Sequence, residues 1–183
     1  MQKTYLCIDL KSFYASVECV ELGLDPFKVN LVVADPTRGG GAITLAATPA
    51  IKKLGVSSRG RIFEIDPKIE YMMAPPRMHL YMEYSCKVYK VFLEFIAKED
   101  IHVYSIDESF LDITSYLKLY QVNAKELAKK ILDRIYEKTG LTATVGIGTN
   151  LYLAKIAMDI SAKHNADRMA YLNDCLLYTS DAA

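Results

Sequence analysis

Residues 105–114 read SIDESFLDIT, with Asp107 and Glu108 side by side among Val103, Ile106, Phe110, Leu111 and Ile113. Adjacent carboxylates repel. Burying either one is costly unless a cation or hydrogen-bond donors compensate it. A third acid, Asp9, ends the apolar segment TYLCIDL at 4–10, where the chain turns toward a helix. If strand 4–10 lies beside 102–106, Asp9, Asp107 and Glu108 converge at one edge of a sheet. Hard divalent ions such as Mg²⁺ are the natural compensation for three carboxylates, bound through their oxygens and one backbone carbonyl. Two such ions about 4 Å apart form a clamp for phosphoryl transfer. The competing reading is plain β alternation, with Glu108 in water and Asp107 capping a turn.

The rest of the chain sets bounds on this. It has 183 residues, 51% of them apolar and 24% charged, an ordinary globular composition that allows one large domain or two small ones. No apolar run approaches the roughly 20 residues that span a bilayer. The opening MQKTYLCIDLK goes straight into strand-like alternation and lacks a signal-peptide layout. Cys7, Cys19, Cys86 and Cys175 form no CxxC pair and no metal spacing. They read as reduced core thiols of a cytoplasmic protein, three of the four in apolar settings. The net charge of zero does not mark the whole chain as a nucleic-acid binder. Within 37–70, however, Arg38, Lys52, Lys53, Arg59, Arg61 and Lys68 face only Glu64, Asp66 and Glu70. Such a basic patch suits a triphosphate and a template strand.

Periodicity predicts a strand over 4–10, a helix over 12–22 with Ser12 as N-cap, a strand over 29–35 and the glycine turn PTRGGG. A short strand AITLAA and a helix from Pro49 to Gly55 follow. The basic segment 57–67 has room for a turn of helix. Pro75 and Pro76 mark a domain crossing at 75–77. A long amphipathic helix is predicted over 78–98, carrying Leu80, Tyr84, Val88, Phe92 and Phe95 on one stripe. Two short strands meet at the acidic pair. A helix over 123–140 opens on the capping box Asn123–Glu126 and closes on Gly140. A strand over 141–148, a capped helix over 150–164 and a final strand RMAYLN complete the order. The fold class is α+β: an antiparallel-leaning sheet with helices on one face, interrupted by a small insertion. The tail DCLLYTSDAA has neither periodicity nor cap and is expected to be foreign or disordered from about residue 173.

Three stretches in this order, IDLKSFYASVE, SIDESFLDIT and TATVGIGTNLYLAKIAMDISAKH, resemble the motifs of the Y-family (UmuC/DinB/ImpB-type) translesion DNA polymerases. The resemblance spans residues 4 to about 172. It implies a ferredoxin-like polymerase palm at 1–20 and 77–172, with the fingers at 21–76. It makes Asp9, Asp107 and Glu108 the catalytic, metal-binding carboxylates, with the Leu10 carbonyl as a further ligand of two Mg²⁺ ions. Phe13 and Tyr14 would lie under the incoming dNTP. Tyr14 would stand at the steric-gate position, where an aromatic ring leaves no room for a ribose 2′-hydroxyl. From the residues alone, a Phe-Tyr pair at a helix start reads as core.

Lys52 and Lys163 match basic positions on the triphosphate, although the spacing before Lys163 is one residue longer than in much of the family. An aromatic hydroxyl that much of the family carries three residues before Lys52 is replaced here by Pro49. Thr48 is the candidate substitute, and the Thr-Pro helix start could offer backbone N–H groups to an anion. The implied partners are primed template DNA and dNTP, and a sliding clamp reached through a C-terminal region. No membrane is implied.

The family continues into a helical thumb and a little-finger domain, both absent from this chain. The expectation is therefore the catalytic front of a longer polymerase active in lesion bypass, DNA repair and the SOS response. Alone it should bind primed DNA weakly and extend primers poorly or not at all. Two other readings stand beside it. One is a palm-like fragment that binds DNA or a partner without catalysis. The other is a palm-fold nucleotidyl cyclase, which would want a GG[DE]EF-like hairpin that the chain lacks.

Overall fold

The computed structural model describes residues 2–173. The expected foreign tail lies, apart from Asn173, outside the described residues. In chain order the elements are β1 (Tyr5–Leu10), α1 (Phe13–Glu21), β2 (Leu31–Val33), β3 (Ala46–Ala47), α2 (Pro49–Lys52), β4 (Met72–Ala74), α3 (Met78–Leu93), β5 (Ile101–Val103), β6 (Glu108–Asp112), α4 (Thr114–Tyr120), α5 (Ala124–Thr139), β7 (Ala143–Gly148), α6 (Leu151–Ile156) and β8 (Met169–Leu172). They fall into two compact units. One joins the chain up to Leu10 to the chain from Ser85 onward, and the other is Lys11–Tyr84. The crossings sit at Leu10/Lys11 and Tyr84/Ser85, so α1 and the first turns of α3 group with the inserted segment.

The first unit is built on a five-stranded sheet in the order β5-β6-β1-β7-β8. All neighbours are antiparallel except β7 and β8, which run parallel. Alternation along β1 sends Cys7 to one face and Ile8 and Leu10 to the other. Cys7 packs with Phe110 of β6, Ala154 of α6 and Met158 just beyond it. Ile8 and Leu10 instead share a shallow pocket with Val88 and Phe92 of α3. The α+β class stands, but helices cover both faces of this sheet rather than one. A helical stripe shows which side of a helix is buried; it does not say on which sheet face the helix lands.

α6 can lie close to β7 because Gly146 and Gly148 present bare backbone. A Cβ on Gly146 would sit 2.0 Å from the Ala154 carbonyl oxygen and 2.3 Å from the Met158 nitrogen. Glycine inside a strand commonly marks such an approach. α6 does not run on as a regular helix. Ala157–Ala162 form a π-turn, the device by which a helix absorbs an extra residue. α5 follows its sequence signals closely. Asn123 accepts from Glu126 N–H at 2.9 Å, and Glu126 accepts from Asn123 N–H at 2.9 Å. Gly140 ends the helix at φ 71°. α4 was not anticipated. It starts where Asp112 accepts from the backbone and side chain of Thr114, and Gln121 stops it in the left-handed region.

The second unit holds a three-stranded sheet in the order β3-β2-β4, with β2 antiparallel to β3 and parallel to β4. β4 was missed because it directly precedes the two prolines. Val32, Ala47, Ile51 and Ile65 form the core. Ser12 occupies the N-cap position of α1, but its hydroxyl makes no capping bond. α1 buries Glu18, which is 3% exposed. Arg77 grips that carboxylate through Nε and Nη2, and Tyr81 Oη donates to it at 2.7 Å. Burial, reinforced by Glu18, pushes the Tyr81 phenol well above its usual range.

Arg77→Met would leave a buried anion with one donor. Orphaning a fully buried partner costs ~3–5 kcal/mol. The Arg77 side chain is 45% exposed, which screens the pair, so a loss of about 2 kcal/mol is expected. Urea denaturation of the variant checks it.

Among the described residues Cys7 and Cys19 are buried, whereas Cys86 is exposed and not a core thiol; Cys175 lies outside the described residues. Among the described residues no helix is long and apolar enough to cross a membrane.

Candidate active site

The acidic pair lies where the sequence placed it, at the tight end of the β5–β6 hairpin. Tyr104 and Ser105 N–H both donate to the Glu108 carbonyl at 3.0 Å. Ser105 Oγ donates to Asp107 Oδ1 at 2.7 Å, which steadies that carboxylate. Leu10 N–H donates to the Asp107 carbonyl at 2.9 Å and ties the end of β1 to the hairpin. Across the β1–β6 ladder Asp9 stands directly opposite Glu108. Both therefore share the face of Cys7, the face covered by α6. Asp107 lines the shallow pocket on the opposite face, with Ile8 and Leu10.

Two lysines from the α6 segment meet these acids. Lys155 Nζ sits 2.7 Å from the Glu108 carboxylate and 3.2 Å from Asp159. Lys163 Nζ sits 3.2 Å from Asp9 and 2.8 Å from Asp159. Cys7 Sγ completes the Glu108 shell, donating to Oε1 at 3.2 Å. Burial pushes the Asp9 carboxyl above its ordinary range. Lys163 pulls it back, and Asp107 and Glu108 push it further up. Asp159 goes the other way: burial would raise it, but its bonds to Lys163 and Lys155 hold it below. Burial would lower Lys155 and Lys163, and their carboxylate partners outweigh that and raise both.

Oxygen donors of this kind suit a hard divalent ion: three carboxylates, Asp9, Glu108 and Asp159, stand against two ammoniums. Among the described residues, no three His, Cys, Asp or Glu side chains are gathered closely enough to hold an ion. Asp9 and Glu108 are each engaged by an ammonium of the α6 segment, and Asp107 by the Ser105 hydroxyl.

The expected nucleotide contacts of the second unit fare unevenly. Tyr14 is half-buried and stacks on Tyr81, with ring centroids 4.3 Å apart and planes 13° from parallel. Phe13 is 3% exposed; it packs as core beneath Tyr14 and Tyr81 and offers a ligand no surface. Thr48 is also corrected. It is wholly buried, its hydroxyl donates to the Val29 carbonyl at 2.7 Å, and it accepts from Leu31 N–H at 3.1 Å. No phosphate can reach it. Lys52 is exposed and donates to Ser12 Oγ at 3.1 Å. The six basic residues of 37–70 all lie on the surface.

Sequence reasoning missed Lys155 and Asp159. Their signal was present in the i, i+4, i+8 row Lys155–Asp159–Lys163. The longer spacing noted before Lys163 coincides with the π-turn.

The model of the impB/mucB/samB family matches residues 8–159, a stretch that holds Asp9, Asp107, Glu108, Lys155 and Asp159. The chain belongs to this family. A Bacillus subtilis (strain 168) protein named for UV-damage repair, UvrX, is 40% identical over 172 residues, 92% of this chain and 39% of the relative. DNA polymerase IV 2 of the same organism is 40% identical over 168 residues, 90% of this chain and 39% of the relative. Among solved structures, an insertion ternary complex of Dbh DNA polymerase superposes with a TM-score of 0.77 at 28% identity, covering 94% of this chain and 49% of that one. The chain thus spans about two fifths of each of these two curated relatives and half of the solved polymerase.

Proposed function

We propose that this chain is the nucleotidyl-transfer portion of a Y-family DNA polymerase, adding a templated dNTP to a primer 3′-hydroxyl during lesion bypass. The observation that carries the reading is the pairing of Asp9 with Glu108 across β1 and β6, with Asp107 one residue before, inside the stretch that matches the family. On this reading the five-stranded unit is the palm and Lys11–Tyr84 contains the fingers. Asp9, Asp107 and Glu108, with the Leu10 carbonyl, would hold two Mg²⁺ ions. When bound, these supply Lewis-acid stabilisation of phosphate charge and a more acidic attacking hydroxyl.

The residues of the chain do the rest. Tyr14, fixed by its stack on Tyr81, offers a rigid ring to the sugar. Lys163 and Lys52 neutralise triphosphate charge. The surface basic residues of 37–70 hold phosphates of the template. Primed DNA and dNTP are the substrates, a sliding clamp engages through a region outside this chain, and the protein works in the cytoplasm. By itself the chain binds primed DNA weakly, since the whole carries no net charge; processive synthesis by it would contradict this.

The discriminating experiment is competition between dNTP and NTP in the presence of Mg²⁺. The chain should prefer dNTP by at least about tenfold, ~1.4 kcal/mol, and Tyr14→Ala should remove the preference. A cyclase would favour NTP. Equal binding of both nucleotides by the wild-type chain would overturn the gate assignment.

A further inference from the structure

Asp159 has no role in the reading above, yet it holds both lysines of the site. Its carboxylate lies 2.8 Å from Lys163 Nζ and 3.2 Å from Lys155 Nζ. The same two ammoniums reach Asp9 at 3.2 Å and Glu108 at 2.7 Å. The result is an unbroken row of alternating sign: Glu108, Lys155, Asp159, Lys163, Asp9. Two features of the chain build it. Residues 155, 159 and 163 follow i, i+4 spacing, which places them on one helical face. Asp9 and Glu108 are opposed in the ladder beneath. The π-turn runs through the row, from Ala157 to Ala162, so the extra residue is absorbed while Lys163 still meets Asp9.

Each lysine is therefore shared between one sheet carboxylate and one helix carboxylate. An ammonium about 3 Å from a carboxylate competes with any metal ion for the same oxygens. For an ion to enter, Lys155 must leave Glu108 and Lys163 must leave Asp9. Neither lysine is free in water: their side chains are 32% and 41% exposed. With Asp159 in place, each displaced ammonium keeps a partner. Without it, two half-buried cations would face each other and the arriving ion with no compensating charge.

We propose that Asp159 is a positioning residue that retains Lys155 and Lys163 when a divalent cation takes Glu108 and Asp9. This rests on reading Asp9 and Glu108 as cation ligands. It gives a direction that a plain stabilising ion pair would not. Removing Asp159 hinders cation binding through the lysines, and removing the lysines cancels the effect.

The experiment is Mn²⁺ titration of the chain, followed by electron paramagnetic resonance without DNA or nucleotide. Four proteins are compared: wild type, Asp159→Asn, Lys155→Gln/Lys163→Gln, and the triple variant. Asp159→Asn should weaken Mn²⁺ binding about 10- to 100-fold, the effect of losing an outer-shell partner. The double lysine variant should bind Mn²⁺ more tightly than wild type. On that background Asp159→Asn should change affinity by no more than ~2-fold, the scatter of independent sites. Asp159→Ser serves if the Asn variant does not fold.

An equal loss on both backgrounds would show Asp159 to be a distant charge only and would overturn the proposal. So would unchanged affinity in Asp159→Asn. If wild type binds Mn²⁺ no better than Asp9→Ala/Glu108→Ala, the cation reading itself fails. That outcome is separable from the others because it appears before Asp159 is touched.

Discussion

Gly146→Ala is expected to destabilise the five-stranded unit by ~3 kcal/mol or more, at or beyond the top of the usual range for overpacking. The added methyl would meet backbone on two sides, the Ala154 oxygen at 2.0 Å and the Met158 nitrogen at 2.3 Å. Backbone cannot rotate away as a side chain can. α6 would have to lift from β7, and with it Ala154 and Met158, which pack on Cys7 and Phe110. The lift would also draw Lys155 away from Glu108. A single methyl therefore tests the packing and the site together. Gly41→Ala is the control. Nothing lies within 4 Å of its Cβ position, and a change within ~0.5 kcal/mol is expected of such a surface site. Urea denaturation followed by circular dichroism compares them, and equal midpoints would contradict the close approach of α6 to β7.

Asp9→Asn is expected to separate stability from function. Burial and two neighbouring acids hold the Asp9 carboxyl above its ordinary 3.8. The sign follows from linkage. A carboxyl with a raised folded pKa favours the fold most when it is protonated, and that contribution is lost as pH rises from about 3.8 through the folded value. At neutral pH the ionised Asp9 is thus a burden on the fold. The amide removes it, and Lys163 keeps Asp159 at 2.8 Å as a partner. Asp9→Asn should therefore be at least as stable as wild type at pH 7, with a flatter pH profile above pH 4. Its Mn²⁺ affinity should fall by more than ~100-fold, since a ligand matters at least as much as its outer shell. A fold more stable without a residue that the chemistry requires is the signature of a functional site. Loss of stability with unchanged Mn²⁺ affinity would make Asp9 structural instead.

Much of this was legible in the sequence, for identifiable reasons. An acidic pair inside an apolar hairpin, and a third acid at a strand end, are conspicuous because β alternation makes facing predictable. Asn123, Glu126 and Gly140 announce the limits of α5 through local hydrogen bonding alone. What escaped depended on tertiary placement. Thr48 was given a phosphate role, but its hydroxyl is consumed by Val29 and Leu31. Phe13 was placed against the nucleotide and is core. Lys155 and Asp159 stood in view as a helical row, yet without the β1–β6 register nothing says that Glu108 and Asp9 lie beneath them. The side of the sheet on which α6 lands is likewise set by Gly146 and Gly148, residues whose message is an absence of side chain.

The measurement that bears most directly on the account is calorimetric titration of dNTP into the chain with and without Mg²⁺, for wild type and Asp107→Ala. Nucleotidyl transfer at Asp9, Asp107 and Glu108 requires that Mg²⁺ tighten dNTP binding to the wild-type chain and leave the Asp107→Ala variant no tighter than it is without the ion. dNTP binding that is indifferent both to Mg²⁺ and to Asp107 would contradict the assignment of this sheet end as the catalytic centre.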